Sequence, residues 1–159
     1  MKLIFDSHAH YDDTKFDDDR DELLTSMLSN NVNTIINCGV DIDNSKKCID
    51  LSKKYERIYC ALGIHPNEVD SVPNNYIVEL EKMFEFKKAV AIGEIGLDYH
   101  YDFSKKESQI KVFEEQILLS KKLNKPIIVH NREAHKDTLE LLNKYMPQGV
   151  IHCFSGSPE

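Results

Sequence analysis

The sequence predicts a parallel α/β sheet wrapped by helices. Two observations carry this. Strand-like and helix-like patterns alternate along the 159 residues, as βα units do. The central strand patterns, such as "RIYCALGIHP" (57–66) and "KPIIVHNR" (125–132), are continuous apolar runs rather than alternating ones. Parallel strands covered by helices on both faces read this way. Right-handed crossovers then follow for each unit.

The elements can be justified in order. Leu3 to Asp6 is a short apolar run that leads into "SHAHYDD". Asp17 to Asn31 reads as a helix, with acids at its start and Leu23, Leu24, Met27 and Leu28 on one stripe. The β-branched run 33–40 is a second strand, and a helix follows from Asp43 to Lys54. The third strand, 57–66, is closed by Gly63 and Pro66. A third helix covers Asn75 to Lys87, and "AVAIGEIGLDY" (89–99) is a fourth strand with an ordered loop. Ser104 to Leu123 is a long helix whose inner stripe is Ile110, Phe113, Ile117 and Leu118. Strand five is 125–132, helix five runs from Ala134 to Tyr145, and "GVIHCF" (149–154) is strand six. There is no repeat, low-complexity segment or linker, so one domain is expected over 1–159.

Composition narrows the function classes. A 41% hydrophobic, 30% charged chain is enough for one core. No run of 18 apolar residues suggests a membrane span, and the start has neither a basic region nor a small-residue cleavage site. Cys38, Cys48, Cys60 and Cys153 form no C-x-x-C pair, which points to reduced thiols in a cytoplasmic protein rather than a structural zinc. The net charge of -7 argues against a protein that coats duplex nucleic acid through a basic face. It leaves room for a small anionic substrate at a metal centre, where the ion supplies positive charge. Lys105, Lys106, Lys121, Lys122 and Lys125 read as a solvated face rather than a groove.

The histidines line up. His8 and His10 share one face of the first strand, about 7 Å apart along it, and two imidazoles on one face can grip one ion. A solvated pair at a strand end is the alternative on this stretch alone. However, strand three ends in His65, strand four in Glu94, strand five in His130 and strand six in His152. In parallel α/β barrels the C-terminal strand ends carry the active site. Glu94 lies within an apolar strand, and a buried carboxylate needs a cation or several donors. Independent accidents at His8, His10, Glu94, His130 and His152 are a poor explanation. An imidazole set with one carboxylate suits zinc, manganese or iron, and magnesium where oxygen donors dominate. The two oxygens of Glu94 allow it to bridge two ions roughly 3.5–4 Å apart, the spacing used in phosphoryl-ester hydrolysis.

Five stretches, "DSHAHYD" (6–12), "GIHP" (63–66), "AIGEIGLDY" (91–99), "PIIVHNREA" (126–134) and "IHCFSG" (151–156), resemble the TatD-type metal-dependent deoxyribonucleases among the amidohydrolase-like barrels. The resemblance spans the chain. It implies a (β/α)8 TIM-type barrel, here truncated to about six βα units. It implies two divalent ions (Mg, Mn or Zn). His8 and His10 would hold one, His130 and His152 the other, and Glu94, the catalytic residue, would bridge them. His65 and Arg132 match positions near the substrate, and an arginine there would clamp phosphate. Asp98 and Tyr99 would order the loop. The implied activity is hydrolysis of DNA phosphodiesters, often exonucleolytic, with DNA or another phosphodiester as partner, no membrane and no obligate protein partner.

A full barrel of this kind needs ~250 residues and eight strands, against six strand patterns here. The late-strand metal-binding Asp of the family has no equivalent. The chain therefore reads as an incomplete barrel lacking C-terminal strands, with open edges that favour association. Two rivals stay open: an amidohydrolase-like enzyme acting on a lactone, amide or phosphotriester, and an inactive barrel fragment or binding module that keeps part of a metal site.

Overall fold

The computed structural model describes residues 3–157, apart from the side chain of Leu28. Met1, Lys2, Pro158, Glu159 and the Leu28 part of the first helical stripe lie outside the described residues. Six strands form one parallel sheet in chain order: β1 (Ile4–Ala9), β2 (Val32–Cys38), β3 (Ile58–Leu62), β4 (Ala89–Asp98), β5 (Ile127–Arg132) and β6 (Gly149–Ile151). Between them run α1 (Arg20–Ser29), α2 (Ile42–Lys54), α3 (Tyr76–Met83), α4 (Lys106–Leu123) and α5 (His135–Tyr145). The result is an α/β half-barrel, as the alternation of patterns requires.

The sheet is buried on two sides, which is why its strands are apolar throughout. Cys60, Leu62, Ile92, Ile127 and Val129 pack outward with Val112, Phe113 and Ile117 of α4. Ile36, Cys38, Ala61, Ala91 and Ile128 form a second cluster on the concave face. Along β5, Ile128 and His130 are two apart and so face the same side; the concave face ends in an imidazole. Among the described residues β1 and β6 pair on one side only, and Ile4, Phe5 and Val150 on these edges are exposed.

Several boundaries differ from the sequence reading. The first helix starts at Arg20, because Asp13 caps a short 3-10 turn over Thr14–Phe16 by accepting from the Lys15 amide at 2.9 Å. Pro66 does not close the third strand; it opens a 3-10 helix, Pro66–Ser71, where its missing amide costs nothing. Strand six stops at Ile151, before a turn in which Cys153 has a φ of 46°.

The inner face of α4 is the largest correction. Leu118 is 48% exposed. The buried side runs instead through Gln109, Val112, Phe113, Gln116, Ile117 and Ser120, which follows the 3.6-residue period but admits two glutamines. Both are used. Gln116 accepts from the Ile64 amide at 2.8 Å and donates to the Ile64 carbonyl at 3.1 Å. Gln109 accepts from the Asp98 amide at 2.9 Å and donates to the carbonyls of Asp98 and Ser104 at 2.9 and 3.1 Å. The helix thereby holds the backbone at the C-terminal ends of β3 and β4, beside His65 and Glu94.

Glycine matters where β4 meets β5. Gly96 has a φ of 144°, and a Cβ there would meet the His130 carbonyl at 1.9 Å. The ladder slips between Ile92 and Ile95, around Glu94.

Replacing Gln116 by leucine would leave both backbone groups of Ile64 buried and unpaired. At roughly 1–3 kcal/mol for each, Gln116→Leu should destabilise the fold by about 2–6 kcal/mol in denaturant unfolding; a loss below about 1 kcal/mol would refute the latch.

Candidate metal centre

The strand ends converge on one carboxylate. Glu94 is 3% exposed. Its Oε2 lies 2.9 Å from Nε2 of His8 and 3.2 Å from Nε2 of His10. Its Oε1 lies 2.9 Å from Nδ1 of His130, 2.6 Å from Nε2 of His152 and 3.9 Å from Nε2 of His65. The rings of His8 and His152, from the two edges of the sheet, stack 3.9 Å apart. The sheet is therefore curved enough to bring its first and last strand ends together although β1 and β6 do not pair.

The proton positions follow from the other partners of each ring. Nδ1 of His10 faces the Cys38 carbonyl at 3.0 Å. A carbonyl only accepts, so Nδ1 carries the proton and, in the neutral ring, Nε2 turns a lone pair on Glu94. Nε2 of His130 faces Asp98 Oδ2 at 3.0 Å and Nδ1 faces Glu94 at 2.9 Å; the protonated ring donates to both carboxylates, and the neutral ring with its proton on Nε2 turns the Nδ1 lone pair to the centre. Nε2 of His8 is buried with no aligned hydrogen bond despite its closeness to the carboxylate. Lone pairs aimed at a carboxylate repel it unless a proton or a cation lies between. This donor set fits a metal ion. His8, His10 and Glu94 present ligand atoms within 4.8 Å of one another.

His65 also falls within that distance of Glu94 and His130, but its chemistry differs. Its Nδ1 accepts from the Asn67 amide at 3.2 Å, so the neutral ring carries its proton on Nε2. Burial pushes it down to about 4. In this tautomer the ring turns an N–H, rather than a lone pair, toward the centre.

Electrostatics agree with this division. Burial opposes the charge of Glu94, but contacts from His10, His130, His152 and His8 outweigh it and hold the carboxyl far below the usual range. The bond to Glu94 raises His10. His130 is raised as well, because Glu94 and Asp98 together overcome its burial.

A cleft of about 530 Å³ opens beside the centre, lined by His10, His65, Glu94, Asn67, Lys47 and Phe103 among others. Lys47 is a cation on its wall, beside the carboxylates of Asp12, Asp13 and Glu68. Arg132, at the end of β5, is exposed, with its guanidinium 4.8 Å from the Tyr101 ring centre. Of the five lysines, Lys105, Lys106, Lys121 and Lys122 are exposed and Lys125 is half-buried. Asp12, which follows the His-x-His pair, lines the same cleft as Glu94. It accepts from the side-chain amides of Asn37, at 2.5 Å, and Asn44, tying the loop after β1 to β2 and α2. Asp98 orders its loop, as the sequence suggests, by accepting from the amides of His100 and Tyr101. Its contact with His130 is the part that sequence reasoning misses. Register alone brings them together: Gly96 pairs with His130 and Asp98 with Arg132.

The raised imidazoles set a pH dependence. His10 and His130 stabilise the metal-free fold fully below the ordinary value of 6.5 and lose that contribution as pH rises through their raised values. His65, lowered, acts at lower pH, between about 4 and 6.5. Above pH 6.5 the Tm of metal-free protein should therefore fall as pH rises. Metal binding, which needs both lone pairs, should release protons and tighten over the same window. Calorimetry in buffers of different ionisation enthalpy reads the protons; uptake without proton release near neutral pH would refute the arrangement.

Comparisons with known proteins identify the family. The family model described as TatD related DNase matches residues 5–159. The chain is 36% identical over 160 residues to a Bacillus subtilis protein named uncharacterized metal-dependent hydrolase YabD, covering 99% of this chain and 63% of that protein. It is 30% identical to the 3'-5' ssDNA/RNA exonuclease TatD of Cronobacter sakazakii, covering 98% of this chain and 60% of that one. The crystal structure of the TatD homologue YjjV from Escherichia coli superposes with a TM-score of 0.90 at 32% identity, covering 97% of this chain and 61% of that one. The chain thus spans about three-fifths of the length of the relatives it matches. The match across residues 5–159 and the shared fold lead to one conclusion: the chain belongs to the TatD related DNase family.

Proposed function

We propose that this chain binds two divalent metal ions and hydrolyses phosphodiester bonds of DNA, working from a strand end. The observation that carries the reading is the partition of imidazoles over the two oxygens of Glu94. His8 and His10 face Oε2, whereas His130 and His152 face Oε1. A carboxylate with one pair of ring nitrogens on each oxygen suits a bridge between two cations. The imidazole-rich set favours zinc or manganese, and magnesium would need further oxygen donors.

Such ions, when bound, polarise a phosphoryl oxygen and make water a stronger nucleophile. The residues of the chain do the rest. Glu94 holds its charge against burial and orients both ligand pairs. Asp98 keeps the His130 proton on Nε2, presenting Nδ1 to the centre. The Nε2–H of His65 serves as a neutral donor to a phosphate oxygen that reaches the cleft, Lys47 supplies a cation on the cleft wall, and Arg132 supplies one outside it, over the Tyr101 ring. The names of relatives support the substrate class: the Cronobacter sakazakii protein is a single-strand DNA and RNA exonuclease by name.

A second reading is a barrel segment that binds metal but hydrolyses little by itself. The open sheet and the exposed Ile4, Phe5 and Val150 favour it. One assay separates the two: cleavage of end-labelled single-stranded DNA, with and without added Mg, Mn or Zn. Metal-dependent release of mononucleotides supports the first reading, and metal binding without release supports the second.

Glu94→Gln removes the shared charge. Elemental analysis should show two ions per chain falling to one or none, and cleavage should fall with them. Two ions retained at unchanged affinity would refute the bridge.

Asp98→Asn should free the His130 ring to turn and to change tautomer. Metal affinity is expected to drop roughly 10- to 100-fold, the usual cost of losing a carboxylate behind a ligating imidazole. Titration with a metal-sensitive dye measures it, and an unchanged affinity would assign Asp98 to the loop alone.

A further inference from the structure

We propose that Tyr101 and Phe103, in the loop between β4 and α4, form a stacking platform for the bases of a single-stranded nucleic acid. The inference rests on the phosphodiester reading above and names what that site grips beyond the phosphate. Phe103 is 66% exposed and Tyr101 40%. Their rings lie 5.1 Å apart, inclined by only 23°. The Arg132 guanidinium sits 4.8 Å from the Tyr101 ring centre, so one end of the aromatic pair carries a cation. Phe103 lines the same cleft as His10, His65 and Glu94.

Single exposed apolar side chains are normal on a protein surface, and Leu118 and Leu139 on the helices are of that kind. This pair differs because its loop is built to hold it out. Asp98, 1% exposed, accepts from the amides of His100 and Tyr101 at 3.0 and 3.3 Å. Ser104 donates to the Asn67 carbonyl at 3.1 Å, and Gln109 donates to the carbonyls on both sides of the loop. Backbone fixed by buried groups at both ends, with two aromatic rings left in water, lowers the ordering cost of a flat ligand.

The cleft chemistry chooses the occupant. An apolar peptide would gain nothing from Arg132 or from Lys47 across the cleft. A nucleotide has a flat π-face for the rings and a phosphate that Arg132 beside Tyr101 can meet; the cleft itself sets Asp12, Asp13 and Glu68 against Lys47, so the rings carry the recognition. Stacking tolerates any base, since each has such a face. The chain has net charge -7, so stacking supplies affinity that phosphate neutralisation cannot.

The test uses a fluorescent single-stranded DNA with phosphorothioate links to slow cleavage, and an abasic strand of equal length. Binding to the metal-loaded protein is read by anisotropy. Phe103→Ala and Tyr101→Ala should each weaken the base-containing strand roughly 5- to 100-fold, and Phe103→Trp should restore binding. The parent protein should hold the abasic strand about as weakly as a variant carrying both Tyr101→Ala and Phe103→Ala holds the complete one. Losses under about twofold, equal losses for both strands, or no binding of either strand by the parent would overturn the platform. Cleavage of unmodified DNA by the parent is scored separately. Base-dependent binding without cleavage would overturn the phosphodiester reading and leave the platform standing.

Discussion

A single buried carboxylate governs this molecule. Glu94 is removed from water and ringed by imidazoles from four other strands or their ends. An isolated charge there would cost far more than a domain of this size has to spare. It persists because positive charge comes to it, as protons on His10 and His130 or as metal ions. The convergence of parallel strands makes this arrangement possible. No helix or hairpin of this size could bring residues 8, 94, 130 and 152 to one point, whereas strands of one curved sheet end side by side.

The second requirement is that the ring of donors stay fixed while its charge changes. Here α4 does the holding. Gln116 grips the backbone before His65, and Gln109 grips the backbone at Asp98. Asp98 in turn holds His130 and the loop that carries Tyr101. The amide of Glu94 donates to the Gly39 carbonyl at 2.9 Å, fastening the carboxylate's own backbone to the end of β2. The contacts of Gln116, Gln109 and the Glu94 amide are made with neutral backbone groups, indifferent to the state of the imidazoles. The same helix that completes the core therefore sets the geometry of the centre, and fold stability and site order cannot be separated.

The legible part of this design is the part written in residue type and spacing. His-x-His, a glutamate inside an apolar strand and histidines closing later strands point, by sequence alone, to one strand-end cluster, and the fold brings those side chains together. Six strands and five helices are likewise readable, because burial on both faces leaves continuous apolar runs. What stays hidden depends on register and on hydrogen-bond partners. Leu118 reads as core because it is apolar, but the 3.6-residue stripe of α4 is closed by glutamines whose partners are backbone atoms far away in sequence. Asp98 reads as a loop residue because nothing local shows that β4 slips against β5. Lys47 is one more lysine on a helix until the cleft forms beside it. The separation of His65 from the ligands rests on one backbone amide, that of Asn67, which sequence cannot aim.

Charge explains why such a site would combine metals with aromatic rings. A protein that binds nucleic acid through its phosphates needs a basic surface, and the affinity then falls steeply with salt. This chain is acidic, with 27 carboxylate residues against 20 lysines and arginines. Long-range repulsion therefore opposes the approach of a polyanion, and affinity must be short-ranged. Metal ions at Glu94 would invert the field over a few ångströms only, and rings at Tyr101 and Phe103 would attract bases through contact rather than charge. Both terms act on the nucleotides nearest the centre and neither extends along a strand. An acidic exterior with a local cationic point thus repels long duplex surfaces while admitting a free end, whose last bases are unpaired and open to stacking. On the proposed reading, preference for a strand terminus needs no separate recognition element. It follows from where the positive charge and the flat rings are, and from the negative charge everywhere else.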